Sequence, residues 1–371
     1  MKKLIIFYCG DGNSLINFRG ELIKKFLNSG FSVLGVAPNI DTHNLTLLDS
    51  WGASFEYVSI ERKSINPFKA VLSVISLIKI IIKYRPSHIF SYTHKPVLVG
   101  AFAGKICGTK NIISLITGTG HLFEEDTFSH KLRKKIGLFF FKIALFFSTH
   151  IIFQNPDDKK LFIDLNLADD ANSFQVNGSG VDLSKFRKSE FPKDLTFLCL
   201  ARLIKSKGIV EYANVSKAFK SVYPNVRFLL GGPADKHNDS LDINEIEQDW
   251  YHSFGIEYIG NVVDVEAAIQ KSSIYVLLSY NEGTPRSVLE AMSVGRPIIT
   301  TDVSGCRETV RHGVNGYLVP AKDAEGALPF FFKIMNVDLI RMGNESRKYC
   351  ESKYDVQKVN KNIFEILEVN G

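Results

Sequence analysis

The chain has 371 residues, of which 45% are hydrophobic and 23% are charged. This length exceeds that of one ordinary domain, and the composition is typical of globular proteins, which excludes a disordered or fibrous chain. The five cysteines are far apart in the sequence, and no C-x-x-C pair occurs. We therefore expect neither a zinc site nor a disulfide framework, a pattern typical of proteins in a reducing cytosol.

The formal net charge of +6 suits three kinds of partner: nucleic acids, anionic membrane surfaces and phosphorylated ligands. The sequence carries none of the motifs of nucleic-acid-binding domains, so we expect no nucleic-acid partner. The first apolar run is too short for a signal peptide, and we predict that it forms the first β-strand.

Apolar runs typical of strands alternate with stretches of helical periodicity, an order that predicts parallel sheets covered by helices. In the first half, the predicted strands are near residues 3–8, 31–37, 54–59, 87–91, 111–116, 150–154 and 173–176. The predicted helices between them cover residues 16–29, 68–84, 97–107 and 129–147. The second half is predicted to contain strands near 195–200, 226–231, 256–259, 274–278 and 297–300, and a last helix over 354–368.

A segment rich in turn-forming residues, 177–186, marks the predicted boundary between two doubly wound, Rossmann-like domains. The first domain is expected over 1–180 and the second over 190–350, with a C-terminal helix within 354–371 packing back on the first. Doubly wound sheets bind ligands at the carboxyl ends of their strands. We therefore expect the active site in a cleft where the two domains face each other.

Two glutamates separated by seven residues, Glu282 and Glu290, form the strongest motif. The motif follows an apolar strand and opens a predicted helix, Arg286 to Val294, whose free N–H groups could bind a phosphate. Glu282 could accept hydrogen bonds from sugar hydroxyls, and Glu290 could bridge the hydroxyls of a ribose. The candidate donor-binding residues of this motif are Glu282, Gly283, Thr284, Arg286 and Glu290.

A second motif places basic residues directly after the strand that ends at Leu200. Arg202 and Lys207 are the candidates to stabilise the negative charge that a diphosphate leaving group gains as its bond to the sugar breaks. Lys205, between them, is expected to be a solvated loop residue. No D-x-D triplet occurs in the chain, so we predict a reaction without a metal cofactor.

Glycine-rich turns and one histidine complete the candidate site. Gly12 and Asn13 lie in the first strand-to-helix turn, where glycine lets a backbone approach the donor phosphates. His94 follows the strand 87–91 and is a candidate catalytic and acceptor-binding residue, although a lone histidine is more often structural. Gly118 and Gly120 form a similar turn that we assign to the acceptor.

The segment 131–147 places four basic residues before a run rich in phenylalanine. Such a basic, aromatic helix can lie in the interface of an anionic membrane. The alternative is a helix that faces the protein core and has a basic end. The sequence leaves both open.

In these residues the chain resembles the retaining glycosyltransferases of family 4, which have the two-domain GT-B fold. The resemblance is densest from Ala201 to Pro320, where the A-R-x-x-x-x-K-G, E-G-x-P-x-x-x-L-E and G-R-P elements follow in the family's order. It implies that Arg202 and Lys207 hold the donor diphosphate. It further implies that Glu282 contacts the donor sugar and Glu290 the nucleotide ribose.

The first half is similar to a narrower group, the enzymes that extend undecaprenyl-diphosphate-linked sugars in bacterial glycan assembly. The residues that carry this similarity are Asn17–Arg19, Arg62–Phe68, Thr93–Pro96, Gly118 and Gly120. The resemblance implies a lipid-diphosphate saccharide as acceptor, which Asn17, His94, Gly118 and Gly120 would bind. It also implies a peripheral location on the cytoplasmic face of the membrane. One departure concerns Thr117–Gly120, which stands where a glutamate-glycine-leucine-glycine run is expected, so the acceptor sugar can differ.

The sequence thus predicts a retaining transferase of a hexose or N-acetylhexosamine from a nucleotide-diphosphate sugar, with UDP favoured by resemblance alone. No nucleophile with a convincing partner is present, so we expect a front-face transfer in which the leaving diphosphate oxygen accepts the acceptor's proton. The alternative enzymes are a sugar-nucleotide epimerase and a phosphorylase. The non-enzyme alternative is a catalytically silent partner subunit that binds a nucleotide sugar.

Overall fold

A computed structural model describes residues 2–60, 67–119, 128–235 and 239–369. The chain divides into two compact units. Unit 1 comprises Met1–Ser179 and Val359–Gly371, and unit 2 comprises Gly180–Lys358.

Unit 1 is built on a parallel sheet of seven strands in the order β3-β2-β1-β4-β5-β6-β7. The strands are β1 Leu4–Tyr8, β2 Ser32–Ala37, β3 Ser54–Tyr57, β4 His88–Tyr92, β5 Asn111–Ile116, β6 His150–Phe153 and β7 Ser173–Gln175. The helices are α1 Asn13–Asn28, α2 Thr42–Ser50, α3 Pro67–Tyr84, α4 His94–Ile106, α5 Phe128–Phe147 and α6 Pro156–Asp164. Every residue of β4 and β5 is buried, as expected for strands covered on both faces. The strand order reverses between β1 and β4, which defines the switch point of this sheet.

The last helix, α14 (Val356–Val369), begins at the end of unit 2 and belongs to unit 1 from Val359 onward. Val359, Ile363 and Leu367 recur every four residues, so they form one stripe, and all three are buried in the core of unit 1. Phe364 extends this stripe, with its ring centroid 5.1 Å from that of Phe26. Burial of these side chains stabilises the helix on unit 1 by roughly 1.5–3 kcal/mol for each of them.

Unit 2 contains six parallel strands in the order β10-β9-β8-β11-β12-β13. They are β8 Thr196–Leu200, β9 Arg227–Gly231, β10 Ile256–Tyr258, β11 Ile274–Leu277, β12 Ile298–Thr301 and β13 Gly316–Val319. The helices are α7 Ile209–Lys220, α8 Ile243–Gln248, α9 Trp250–Phe254, α10 Val265–Gln270, α11 Arg286–Val294, α12 Ala324–Ile334 and α13 Leu339–Lys353. The order reverses between β8 and β11, so the switch point of unit 2 lies there.

Two doubly wound, Rossmann-like units confirm the predicted fold class. One strand was missed: β13 is only four residues long and begins with a glycine directly after a turn, so it lacks a strand-like pattern. The segment before β8 is held on unit 2 by the buried Arg296, which donates to the Ser189 and Glu190 carbonyls. Burial lowers the pKa of Arg296 to about 10.

The helix α5 has two different faces over its described side chains. Phe141, Ala144 and Leu145 are buried, as the core-facing interpretation expects. The other face exposes Ile136, Phe139, Phe140 and Phe146, the last of which is 82% exposed. The side chains of Lys131, Arg133 and Lys134 lie outside the described residues, whereas Lys135 and Lys142 are exposed.

The helix α3, which like α5 packs against α4, also carries an exposed apolar stripe. Its members are Val71, Leu72, Ile75 and Ile82. Within the described ranges, no helix is both long and apolar enough to cross a membrane.

Candidate active site

The carboxyl ends of β8 and β11 bring together two of the sequence-predicted site residues. Lys207 follows β8 and Glu282 follows β11, and the Lys207 Nζ lies 2.5 Å from the Glu282 Oε1. Their side chains are only 18% and 15% exposed. A cation and a carboxylate with little exposure to water are therefore paired at the switch point of unit 2, where sheets of this kind bind ligands.

The backbone around Gly208 explains the position of Lys207. Gly208 has a φ of +69°, and a Cβ atom on it would lie 2.0 Å from the Leu278 carbonyl oxygen. Only glycine therefore allows the 3-10 turn Lys205–Lys207 to lie directly on the end of β11. The Tyr280 N–H closes this contact by donating to the Ser206 carbonyl at 2.9 Å.

The loop after β12 holds Glu282 from its other side. The Glu282 N–H donates to the Ser304 carbonyl at 3.3 Å. The next residue, Gly305, has a φ of +76°, and a Cβ atom there would lie 2.3 Å from the Glu282 carbonyl oxygen. Gly305 is not among the sequence-predicted site residues, although a glycine in the loop after a strand can allow such a close backbone approach.

The second glutamate lies inside the helix α11, which begins at Arg286 and ends at Val294, as predicted. Glu290 is buried, and burial raises the pKa of its carboxyl group, while the nearby Arg286 opposes this rise. The Arg286 Nε donates to the Glu290 Oε1 at 2.9 Å, a helical i,i+4 pair. Glu290 therefore keeps a charged partner inside the protein.

Arg202 has a different partner from Lys207. Its Nη1 lies 2.6 Å from the Oδ2 of Asp235, which belongs to the loop after β9. The Arg202 side chain is 53% exposed, so this pair contributes little to stability. The guanidinium is therefore accessible to an anionic ligand that can compete with Asp235.

In unit 1, the predicted residues lie at the carboxyl ends of the neighbouring strands β1, β4 and β5. Gly12 is the residue before α1, and a Cβ atom on it would lie 2.2 Å from the Asn39 carbonyl oxygen. The Asn13 Oδ1 accepts hydrogen bonds from the Asp41 N–H and the Asn44 side chain. Both residues thus hold the loop after β2, a structural role that sequence analysis did not foresee.

The predicted acceptor-side residues are divided among three elements. His94 is the first residue of α4, half-buried, with its ring 5.8 Å from that of Phe141. Gly118 follows β5 with a φ of +120°, which requires glycine. Asn17 is exposed on α1. Gly120 and most of the Arg62–Phe68 motif lie outside the described residues.

Across the described part of the chain, no three His, Cys, Asp or Glu side chains form a group that could hold a metal ion. Metal independence of the reaction stays a prediction.

The contact between Gly305 and Glu282 predicts an unusual sensitivity to one methyl group. Gly305→Ala should lower the rate of sugar transfer roughly tenfold or more, because a displacement of about 1 Å in an active site can have an effect of that order. The matched control is Gly313→Ala, at a glycine with a φ of +79° and no atom within 4 Å of its Cβ position. Steady-state rates and melting temperatures of both variants would be compared. Equal loss of activity in the two would contradict the assigned role of Gly305.

The chain is similar to known glycosyltransferases in sequence and in fold. The sequence profile of the family described as glycosyl transferases group 1 matches residues 194–328. The N,N'-diacetylbacillosaminyl-diphospho-undecaprenol alpha-1,3-N-acetylgalactosaminyltransferase of Campylobacter jejuni is 26% identical, with 86% of each chain covered. The UDP-Gal:alpha-D-GlcNAc-diphosphoundecaprenol alpha-1,3-galactosyltransferase of Escherichia coli is 24% identical, over 78% of this chain and 76% of that one.

Among solved structures, Anabaena Alr3699/HepE in complex with UDP and glucose has a TM-score of 0.78 at 16% identity, with both chains covered completely. This likeness shows the fold, which is GT-B. The comparisons favour sugar transfer over the epimerase and silent-partner alternatives. Residues 194–328 are therefore a glycosyl transferases group 1 domain, and the chain is a glycosyltransferase with the GT-B fold.

Proposed function

We propose that this enzyme transfers a hexose or N-acetylhexosamine, with retention of configuration, from a UDP-sugar to a lipid-diphosphate-linked saccharide. The observation that carries the donor half is the Lys207–Glu282 pair beside the start of α11. The names of the two relatives above, both of which contain a diphospho-undecaprenol acceptor, support the acceptor half. UDP in the Anabaena structure supports the choice of nucleotide.

The donor would be held by charges that already have partners in unit 2. Lys207 and Arg202 would bind diphosphate oxygens in exchange for Glu282 and Asp235. The N–H groups at the start of α11, in the turn Gly283–Thr284 and at Arg286, suit a phosphate because a helix N-terminus carries partial positive charge. Glu290 would accept hydrogen bonds from the ribose hydroxyls.

Release of Glu282 from Lys207 would give the donor sugar a carboxylate partner. In the proposed front-face transfer, the bond between the anomeric carbon and the diphosphate oxygen breaks. The acceptor oxygen bonds to that carbon on the same face, and its proton passes to the leaving oxygen. Lys207 and Arg202 stabilise the charge on the diphosphate, which is where positioned donors contribute most.

The acceptor saccharide would bind in unit 1, at the ends of β4 and β5. His94 offers an imidazole at the start of α4, and Gly118 offers backbone groups in a turn without a side chain. Asn17 and Gly120 complete the proposed set. A polar contact from His94 to the attacking hydroxyl would orient it toward the donor.

A lipid-linked acceptor requires access to the membrane, and the apolar stripes of α3 and α5 would provide it. Exposed phenylalanine and isoleucine side chains next to exposed lysines are the composition that favours the interface of an anionic bilayer. We propose that these two helices hold the enzyme peripherally on the cytoplasmic face of the membrane.

Replacement of Arg202 tests the donor half of the proposal. Arg202→Ala should lower transfer from a UDP-sugar roughly a hundredfold or more, because removal of one preorganised donor costs about that much. The assay would offer a panel of UDP- and GDP-sugars with undecaprenyl-diphosphate glycans, with EDTA present. EDTA should leave the wild-type rate unchanged.

The matched control for Arg202 is Arg227→Ala. Arg227 is a similarly exposed arginine of unit 2 that also pairs with a carboxylate, Glu257, but it opens β9 at the opposite end of the sheet. Arg227→Ala should transfer at the wild-type rate. Near-normal turnover of Arg202→Ala would refute its role, and conversion of the donor to its epimer without transfer would favour the epimerase.

Binding to vesicles tests the proposed membrane contact of α3 and α5. Charge reversal at Lys135 and Lys142 should weaken sedimentation with anionic vesicles by roughly tenfold or more, since each lysine near such a surface contributes about 1 kcal/mol. Reversal of Lys160 and Lys361, two exposed lysines of unit 1 on other helices, is the control. Wild-type protein that stays in the supernatant, or equal losses in both double variants, would contradict the proposed surface.

A further inference from the structure

One residue of unit 1 has a backbone conformation that its side chain disfavours. Thr93 has a φ of +69° and a ψ of +154°, a region that glycine occupies easily and other residues avoid. For a β-branched residue such as threonine, a positive φ is a genuine outlier. Thr93 is also the single residue between the end of β4 at Tyr92 and the start of α4 at His94.

The connection between β4 and α4 is short because α4 packs closely on the sheet. A Cβ atom on Gly100 would lie 2.0 Å from the Ser91 Oγ, and one on Gly104 would lie 3.1 Å from Ile89. Two glycines one turn apart thus let the helix lie directly on β4. Little room remains for a longer connection between the strand and the helix.

The residue before Thr93 is fixed as well. Tyr92 is buried, and its hydroxyl oxygen lies 2.7 Å from the Ser14 Oγ. The Arg19 guanidinium lies over the Tyr92 ring, 5.2 Å from its centroid. With the strand end and the helix both held, the conformation of Thr93 is imposed by its surroundings.

A glycine at position 93 would satisfy this backbone without strain, so the threonine side chain needs its own explanation. No hydrogen bond to the Thr93 hydroxyl occurs among the described residues, and the residue is half-buried. It stands next to His94 at the switch point between β1 and β4, where a sheet of this type binds its ligand. The hydroxyl is therefore available to a ligand at that place.

We propose that Thr93 binds the acceptor saccharide, its hydroxyl exchanging a hydrogen bond with a sugar hydroxyl beside His94. This inference rests on the proposed role of unit 1 as the acceptor-binding unit. The strained turn serves the same contact, because it fixes the threonine hydroxyl and the histidine on consecutive residues. The role is one of binding and orientation, without a covalent step.

The test compares Thr93→Val, Thr93→Ser and Thr93→Gly by melting temperature and by the KM for acceptor and donor. Valine keeps the shape and the strain but loses the hydroxyl, so the acceptor KM should rise roughly three- to tenfold, as for loss of one hydrogen bond. Serine should restore the acceptor KM to near the wild-type value. Glycine should raise the acceptor KM equally and yet raise the melting temperature by roughly 2–6 °C, because the strain is relieved.

The donor KM should stay unchanged in all three variants. Asn166→Gly is the control for a glycine at positive φ, since Asn166 is exposed, has a φ of +53° and follows α6. It should leave both KM values unchanged. A wild-type acceptor KM in Thr93→Val, or a loss in Thr93→Ser as large as that in Thr93→Gly, would overturn the proposal.

Failure of the proposed acceptor class is distinguishable from failure of this inference. If the wild-type enzyme does not glycosylate lipid-diphosphate saccharides but does glycosylate a lipid-free glycan, only the proposed acceptor class is refuted. The Thr93 series would then be measured with that glycan, and the same pattern of KM values would be expected.

Discussion

The ion pair between Lys207 and Glu282 is the interaction around which the candidate site of unit 2 is organised. It joins the ends of β8 and β11, and its two charges are largely shielded from water. Removal of either partner would leave a poorly hydrated charge without compensation, which is costly in a protein interior. Gly208 lies close to the backbone of Leu278, and Gly305 lies close to the backbone of Glu282. The geometry of the pair therefore depends on two positions where a single methyl group does not fit.

In the proposed mechanism, the pair also determines how a donor binds. A diphosphate that replaces Glu282 on Lys207 would free the glutamate, which would then need hydrogen-bond donors such as sugar hydroxyls. Binding of the nucleotide and orientation of the sugar would in this way be coupled through one side-chain exchange. Arg286 and Glu290 form a second pair on one helix, where the arginine opposes the rise in the pKa that burial causes in the Glu290 carboxyl group.

Much of the fold and part of the site could be predicted from the sequence. Apolar runs predicted the order of most strands, and helical periodicity predicted several of the helices between them. Pro285 and Gly295 delimit α11 because proline suits the start of a helix and glycine its end. The pairing of Arg202 with Asp235 could not be foreseen, since these residues are 33 positions apart and meet only through the loop after β9. The phosphate contact of Gly12 stays a prediction, and the structure adds a steric reason for glycine there, the close Asn39 carbonyl oxygen. The conformation of Thr93 leaves no trace in the sequence, because threonine is not the residue that a positive φ predicts.

Calorimetric titration of UDP into Lys207→Met and Glu282→Gln variants tests the central exchange most directly. Lys207→Met should weaken UDP binding roughly ten- to a hundredfold, as for a hydrogen bond to a charged group. Glu282→Gln should bind UDP as tightly as the wild type or more tightly, because Lys207 no longer has a competing carboxylate, while sugar transfer is lost. If Glu282→Gln weakens UDP binding as much as Lys207→Met does, the two residues act as one structural unit and the exchange does not occur.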